Sequence, residues 1–135
     1  MSYVLIIGAK SDIAKAVARK YAENGYNLYL VARNSHELVG FANDLTVRTQ
    51  KTVKIIDLDI LDYKRHQQFY NQLEEKPLGI ISAIGYLGEQ EKAQSDFEEA
   101  KFIMDTNYTS IVSLFNIIAN DFEKRRNGFM IGISS

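Results

Sequence analysis

Short apolar runs alternate with amphipathic stretches along the whole chain. Tyr3 to Ile7 (YVLII) is apolar throughout and rich in β-branched residues, as in a central strand covered on both faces. Gly8 ends the run; a glycine lets the chain turn sharply and lets bare backbone approach a ligand. From Asp12 the spacing becomes helical: Ile13, Val17 and Tyr21 recur on one face, with Ala14 and Ala18 beside them, and Asn24-Gly25 marks a stop. A second strand is predicted over 27–32 (NLYLVA), then a helix over about 35–50, with Asn34 and Glu37 spaced as a capping box. A third strand covers 52–58 and a polar helix about 62–75. Pro77 breaks the chain before a fourth strand, 78–83. A long helix is expected over 95–125, with Ser95 and Glu98 as its capping pair, and Asn127-Gly128 turns into a fifth strand, 129–133.

This alternation implies an α/β fold, a doubly wound parallel sheet with helices on both faces. Ligands of such sheets bind beyond the carboxyl ends of the strands, where the strand order reverses. A length of 135 residues suits a single domain and is short for a complete two-part enzyme. The net charge of −1 steers the chain towards neither nucleic acid nor an anionic membrane. Without cysteine, disulfides and thiolate metal sites are excluded. His36 and His66 both stand among polar residues of predicted helices, so both are expected on the solvated surface. No apolar run would span a bilayer, and the first strand begins too early for a signal peptide, so a cytoplasmic location is expected.

The chemistry gathers at the predicted strand ends. After the first strand, GAKSDIA (8–14) feeds a helix whose free N–H groups would point at one spot, which suits a phosphate; an ordinary strand–helix unit with no ligand has the same pattern. After the second strand, Ala32-Arg33 stands where a dinucleotide-binding unit meets the adenosine ribose. An acid there would bind the two free hydroxyls of NAD. Arg33 instead offers a planar fork of donors suited to a 2′-phosphate, and Lys10 adds a second cation. After the third strand, Asp59 can accept from an adenine amino group beside Ile60; Asp59 and Asp62 can equally cap the next helix. After the fourth, Ser82-Ala83-Ile84-Gly85 reads either as backbone packed on a flat group or as a plain loop.

The inward face of the long helix reads Ala100, Ile103, Met104, Asn107, Ile111, Leu114, Phe115, Ile118, Phe122. An unpartnered buried amide costs on the order of 1–3 kcal/mol, so Asn107 is either a satisfied core residue or one placed to hold a water or a catalytic group. The fifth strand runs into Ser134-Ser135.

Together these residues resemble the short-chain dehydrogenase/reductase family, in its N-terminal, cofactor-binding part, and the resemblance covers the entire chain. It implies a Rossmann-type sheet and an NADP(H)-binding site formed by Gly8, Lys10, Ser11, Asp12, Ile13, Arg33, Asp59, Ile60, Ala83 and Gly85. The glycine segment departs from the family's T-G-x-x-x-G-x-G: Ile7 replaces the threonine, and Asp12 and Ala14 replace the later glycines. Ala14 is small enough to keep the helix near the sheet, whereas the Asp12 carboxylate must turn away from a pyrophosphate. Asn107 and Ser135 match two members of the catalytic tetrad. The other two, Tyr-x-x-x-Lys, are absent, because none of the eight tyrosines has a lysine four residues on. The chain is therefore expected to be the N-terminal part of a longer enzyme and, as given, not to transfer hydride.

In the complete enzyme the resemblance implies a small-molecule carbonyl or alcohol substrate, with Ser135 polarising the carbonyl and Asn107 fixing a water. The G-A-x-S-D-I-A form is similar to a branch that includes the reductase of the decaprenylphosphoryl ribose epimerase, which would imply a sugar derivative. It also implies a homo-oligomer through the 95–125 helix, whose second face carries Phe102, Thr109, Val112, Asn116 and Ala119. Two other readings stand beside this one: a non-catalytic dinucleotide-binding or sensor module, and a sugar-nucleotide epimerase of the extended branch.

Overall fold

The computed structural model describes residues 2–83, 96–104 and 108–133. Among these the strands are β1 (Tyr3–Ile7), β2 (Asn27–Ala32), β3 (Val53–Asp57), β4 (Gly79–Ser82) and β5 (Phe129–Gly132). The helices are α1 (Asp12–Glu23), α2 (Val39–Thr49), α3 (His66–Asn71), α4 (Phe97–Met104) and α5 (Ser110–Arg125). Short 3₁₀ turns, Ser35–Leu38 and Tyr63–Arg65, lead into α2 and α3. The stretch expected as one long helix is thus described as α4 and α5, with 105–107 outside the described residues.

All strand pairings are parallel, in the order β3-β2-β1-β4-β5. The chain steps outward from β1 to β3, then crosses back to lay β4 on the other side of β1. This reversal opens a crevice beyond the carboxyl ends of the strands. The doubly wound parallel sheet expected from the alternation, of the Rossmann type that the resemblance implies, is the one observed.

Strand residues alternate between two cores, as the period of two requires. Val4, Ile6, Leu28, Leu30 and Ile81 face α1 and α2, where the buried helix residues include Ala14, Ala18, Ala22 and Ala42. Tyr3, Leu5, Ile7, Tyr29, Val31 and Ile80 face α3 and α5, packing with Phe69, Tyr70, Leu114, Ile118 and Phe122. In α1 the buried stripe is therefore the alanines. Ile13, expected on the apolar face, is 51% exposed, and Val17 and Tyr21 are only partly covered. The reason is close approach: an alanine stripe brings the helix nearer to the sheet than isoleucine allows.

The expected Asn34–Glu37 capping box does not form. Asn34 is left-handed (φ 53°) and its side chain makes no cap. The Asp57 carboxylate at the end of β3 accepts from the Ser35 N–H at 2.9 Å instead. Ser95 lies outside the described residues, and Asp96 accepts from the Glu98 N–H at 2.9 Å. The Asn24-Gly25 stop is as expected, with Gly25 at φ 96°.

His66 is not on the surface. It is fully buried, with Nε2 2.8 Å from the Ile60 carbonyl and Nδ1 3.0 Å from Ser113 Oγ. A carbonyl only accepts, so Nε2 donates; in the neutral ring Nδ1 then accepts from the Ser113 hydroxyl. Both partners lie outside the polar run of 62–75, one on the segment after β3 and the other on α5. His36 is exposed, as expected.

Candidate functional site

Four strand ends converge on a cleft of about 330 Å³. β1 contributes Ile7 and Gly8; β2 contributes Val31, Ala32 and Arg33; the segment after β3 contributes Leu58, Asp59, Ile60 and Leu61; β4 contributes Ala83. Lys10, Ser11 and Phe102 of α4 complete the lining. The lining is largely apolar with a few polar and charged groups, a composition that suits a flat ring flanked by phosphates.

Gly8 makes the turn possible. Its φ of 78° lies in the left-handed region, where a side chain is strained. Its N–H and that of Ala9 both donate to the Val31 carbonyl, at 3.0 and 3.2 Å, which fastens the turn to β2. Ser11 caps α1: its Oγ accepts from the Ala14 N–H at 3.2 Å and donates to the Gly8 carbonyl at 3.3 Å. Because Ser11 takes the cap, the Asp12 carboxylate is not needed there. Asp12 is exposed and does not line the cleft; nor does Ile13. The start of α1 thus faces the cleft with its positive dipole end.

Arg33 is exposed at the rim, where the strand-end reading places it. Lys10 reaches sideways, its Nζ 3.1 Å from Glu37 Oε2. That ion pair, led by the hydrogen bond and then the lysine charge, holds the Glu37 carboxyl below the usual carboxylate range. Asp57 is likewise held low, chiefly by the Ser35 backbone N–H. Its bond anchors the 3₁₀ turn that carries Glu37.

Asp59 lines the cleft, and its Oδ1 accepts from the Leu61 N–H at 3.0 Å. Asp62 precedes the next turn but makes no side-chain cap. Of the two roles open to these acids, Asp59 has the cleft position and Asp62 caps nothing. The His66 bond to Ile60 ties this wall to α5 from behind.

The sequence reading therefore meets the structure at Gly8, Lys10, Ser11, Arg33, Asp59, Ile60 and Ala83, which share one cleft. Gly85, Asn107 and Ser135 lie outside the described residues. Phe102, assigned from sequence to an outer helix face, lines the cleft. Leu61, also in the lining, was missed too. Only the packing of α4 over the strand ends marks Phe102. Leu61 could have been found by continuing the apolar positions past Asp59-Ile60.

Among the described residues no group of acids and histidines could hold a metal ion, and no helix is long and apolar enough to cross a membrane.

Comparison with known proteins agrees with this geometry. The chain is 28% identical to human 17-beta-hydroxysteroid dehydrogenase type 3 over 98% of its own length and 44% of that protein's. It superposes on a short-chain dehydrogenase from Sphingobium yanoikuyae, solved in complex with NADPH, with a TM-score of 0.88 and 24% identity, covering 100% of this chain and 54% of that one. The bulky-bulky ketone specific alcohol dehydrogenase from Comamonas testosteroni gives a TM-score of 0.86 and 25% identity, with 100% and 55% covered. The chain thus spans about half the length of the proteins that it matches. A glycine-turned strand–helix unit, a 3-2-1-4-5 sheet and a cleft at its carboxyl edge are joined by a match over residues 2–135 to the short chain dehydrogenase model, and the chain belongs to that family.

Proposed function

We propose that the chain is the cofactor-binding half of an NADP(H)-dependent oxidoreductase acting on a small carbonyl or alcohol substrate. One observation carries this reading: the rim of the cleft presents Lys10 and Arg33, while β2 ends in Ala32 rather than an acid. The residues fit the cofactor. The Gly8 turn brings bare backbone to the cleft, the start of α1 that Ser11 caps turns its positive dipole end to a pyrophosphate, and Arg33 matches a 2′-phosphate. Asp59 accepts from the adenine amino group, with Ile60 and Ala83 against the rings. NADPH, when bound, supplies the hydride. Ser135 polarises the substrate carbonyl and Asn107 holds a water for proton delivery, roles that rest on the family pattern. The tyrosine and lysine of that pattern would follow in a longer protein, where the tyrosine is the general acid. Self-association through the outer face of α5, where Val112 is 42% exposed, completes the proposal.

The test is binding of NADPH and NADH to the full-length protein, with and without Arg33→Ala. A charge-assisted bond to the 2′-phosphate should favour NADPH by about tenfold to a hundredfold. Arg33→Ala should remove most of that preference and leave NADH binding nearly unchanged. Equal binding by the unmutated protein would overturn the NADP(H) assignment. Oxidation of NADPH should then be followed with ketones and keto-sugars, for the 135-residue and full-length chains side by side. Tight binding without turnover by the full-length chain would favour a dinucleotide-sensing module.

A further inference from the structure

We propose that Glu37 is a specificity-determining residue, which limits the affinity of the cleft for a 2′-phosphate by holding Lys10. The inference rests on the NADP(H) reading above and adds a residue to it. Two cations and one carboxylate, Lys10, Arg33 and Asp59, line the cleft. The Lys10 ammonium is engaged by Glu37 at 3.1 Å, on the turn that follows Arg33. Lys10 is therefore tied to the segment that follows Arg33. A doubly charged phosphate beside Arg33 that draws on Lys10 must share the ammonium with Glu37 or take it away. Each alternative costs binding free energy that a neutral side chain at 37 would not cost.

The position of Glu37 is built in. Asp57 accepts from the Ser35 N–H at 2.9 Å, Ser35 itself is buried, and the Glu37 N–H donates to the Asn34 carbonyl at 3.3 Å. The turn is thus pinned to the end of β3, and the carboxylate cannot swing away with its backbone. The side chains remain accessible, with Lys10 33% and Glu37 59% exposed, so the pair can open when a ligand arrives. Such a counter-charge keeps the cofactor exchangeable.

The experiment measures dissociation constants of NADPH, NADH, 2′,5′-ADP and 5′-AMP for the full-length protein and its Glu37→Gln, Lys10→Met and double variants. Circular dichroism melts check that each is folded. Glu37→Gln should tighten NADPH and 2′,5′-ADP by about two- to fivefold, the size expected for an exposed ion pair. NADH and 5′-AMP should bind as before. Added salt should shrink the gain, since the groups are accessible to screening ions. In the Lys10→Met background the gain should disappear. No tightening, equal tightening of NADH, or an undiminished gain without Lys10 would each overturn the role of Glu37. A parent protein that binds NADPH and NADH equally, yet gains for NADPH alone on Glu37→Gln, would sink the Arg33 assignment and leave Glu37 standing. Binding of no nucleotide by any variant would overturn both.

Discussion

The two faces of the sheet are packed by different means. On the α1 and α2 face the buried helix residues are alanines, Ala14, Ala18, Ala22 and Ala42, joined by Leu45. On the α3 and α5 face the side chains are large, and polar groups link the elements. There His66 joins Ile60 to Ser113, and the Tyr70 hydroxyl donates to Asp121, which also pairs with Arg125 Nε at 3.0 Å. Arg125 in turn donates to the Pro77 carbonyl at 2.9 Å. The alanine face sets a distance: it brings the start of α1 to the strand ends, where a phosphate site needs it. The other face sets a register: directional bonds hold the segment after β3 and the approach to β4 against α5. Distance needs only small residues, whereas register needs donors and acceptors.

The largest effect should come from the polar side. His66→Leu keeps the volume but leaves the Ile60 carbonyl and Ser113 hydroxyl without their partner. Each such loss costs about 1–3 kcal/mol, so denaturant unfolding should show a drop of roughly 2–4 kcal/mol. Amide exchange should rise most at 58–62, where the wall of the cleft loses its tie. Uniform exchange across the domain would mean that His66 is only filling space.

Next comes the close face. Ala18→Leu forces α1 outward and should cost about 1–3 kcal/mol by overpacking. Its distinctive result is weaker nucleotide binding at temperatures where the domain is still folded, because the start of α1 shifts. Unchanged binding would show that the alanine stripe serves stability alone.

How these faces differ was only partly legible in the sequence. Strand limits and order of elements were readable, because five-residue apolar runs and glycine or proline breaks are local signals. Ala14 and Ala18 were visible, but a helical wheel ranks Ile13 above them. It scores hydrophobicity and not the approach distance, which is set by the sheet. The burial of His66 could not be read, since Ser113 lies 47 residues further on. The same holds for Asp57, whose acceptance from Ser35 22 residues earlier replaces the local Asn34–Glu37 box. In the site, Gly8, Lys10, Arg33 and Asp59 were legible because parallel topology sends every strand end to one edge. Phe102 was not, because its position depends on how α4 lies over that edge.

Smaller effects test the remaining polar links. Tyr70→Phe should cost about 1 kcal/mol, because Asp121 keeps Arg125. Burial, and then the bond to Asp121, push the Tyr70 phenol up, so it stays protonated where an unfolded tyrosine ionises. The unfolded state then binds fewer protons, and stability should fall as pH rises past about 10. Tyr70→Phe should flatten that alkaline limb. An identical limb in the variant would assign it to another group.

The gentlest change is expected at Asp57. Its carboxyl is held low by the Ser35 N–H, so the folded state keeps it ionised below the ordinary range. Its contribution is complete above about pH 4 and is lost as pH falls further. Asp57→Asn should flatten the acid limb slightly in melts from pH 5 to pH 2. A steeper limb in the variant would reverse the sign and refute the anchor.

With two histidines in the chain, one exposed and one enclosed, the imidazole resonances form a natural pair of beacons. His36 would report bulk solvent. His66, with its proton on Nε2 and its ring wedged between the cleft wall and α5, would give a slowly exchanging N–H signal in an uncluttered region of the nitrogen–proton spectrum. Any ligand that tightened or loosened the segment around Ile60 would move that one peak, so the protein carries its own label for watching the cleft.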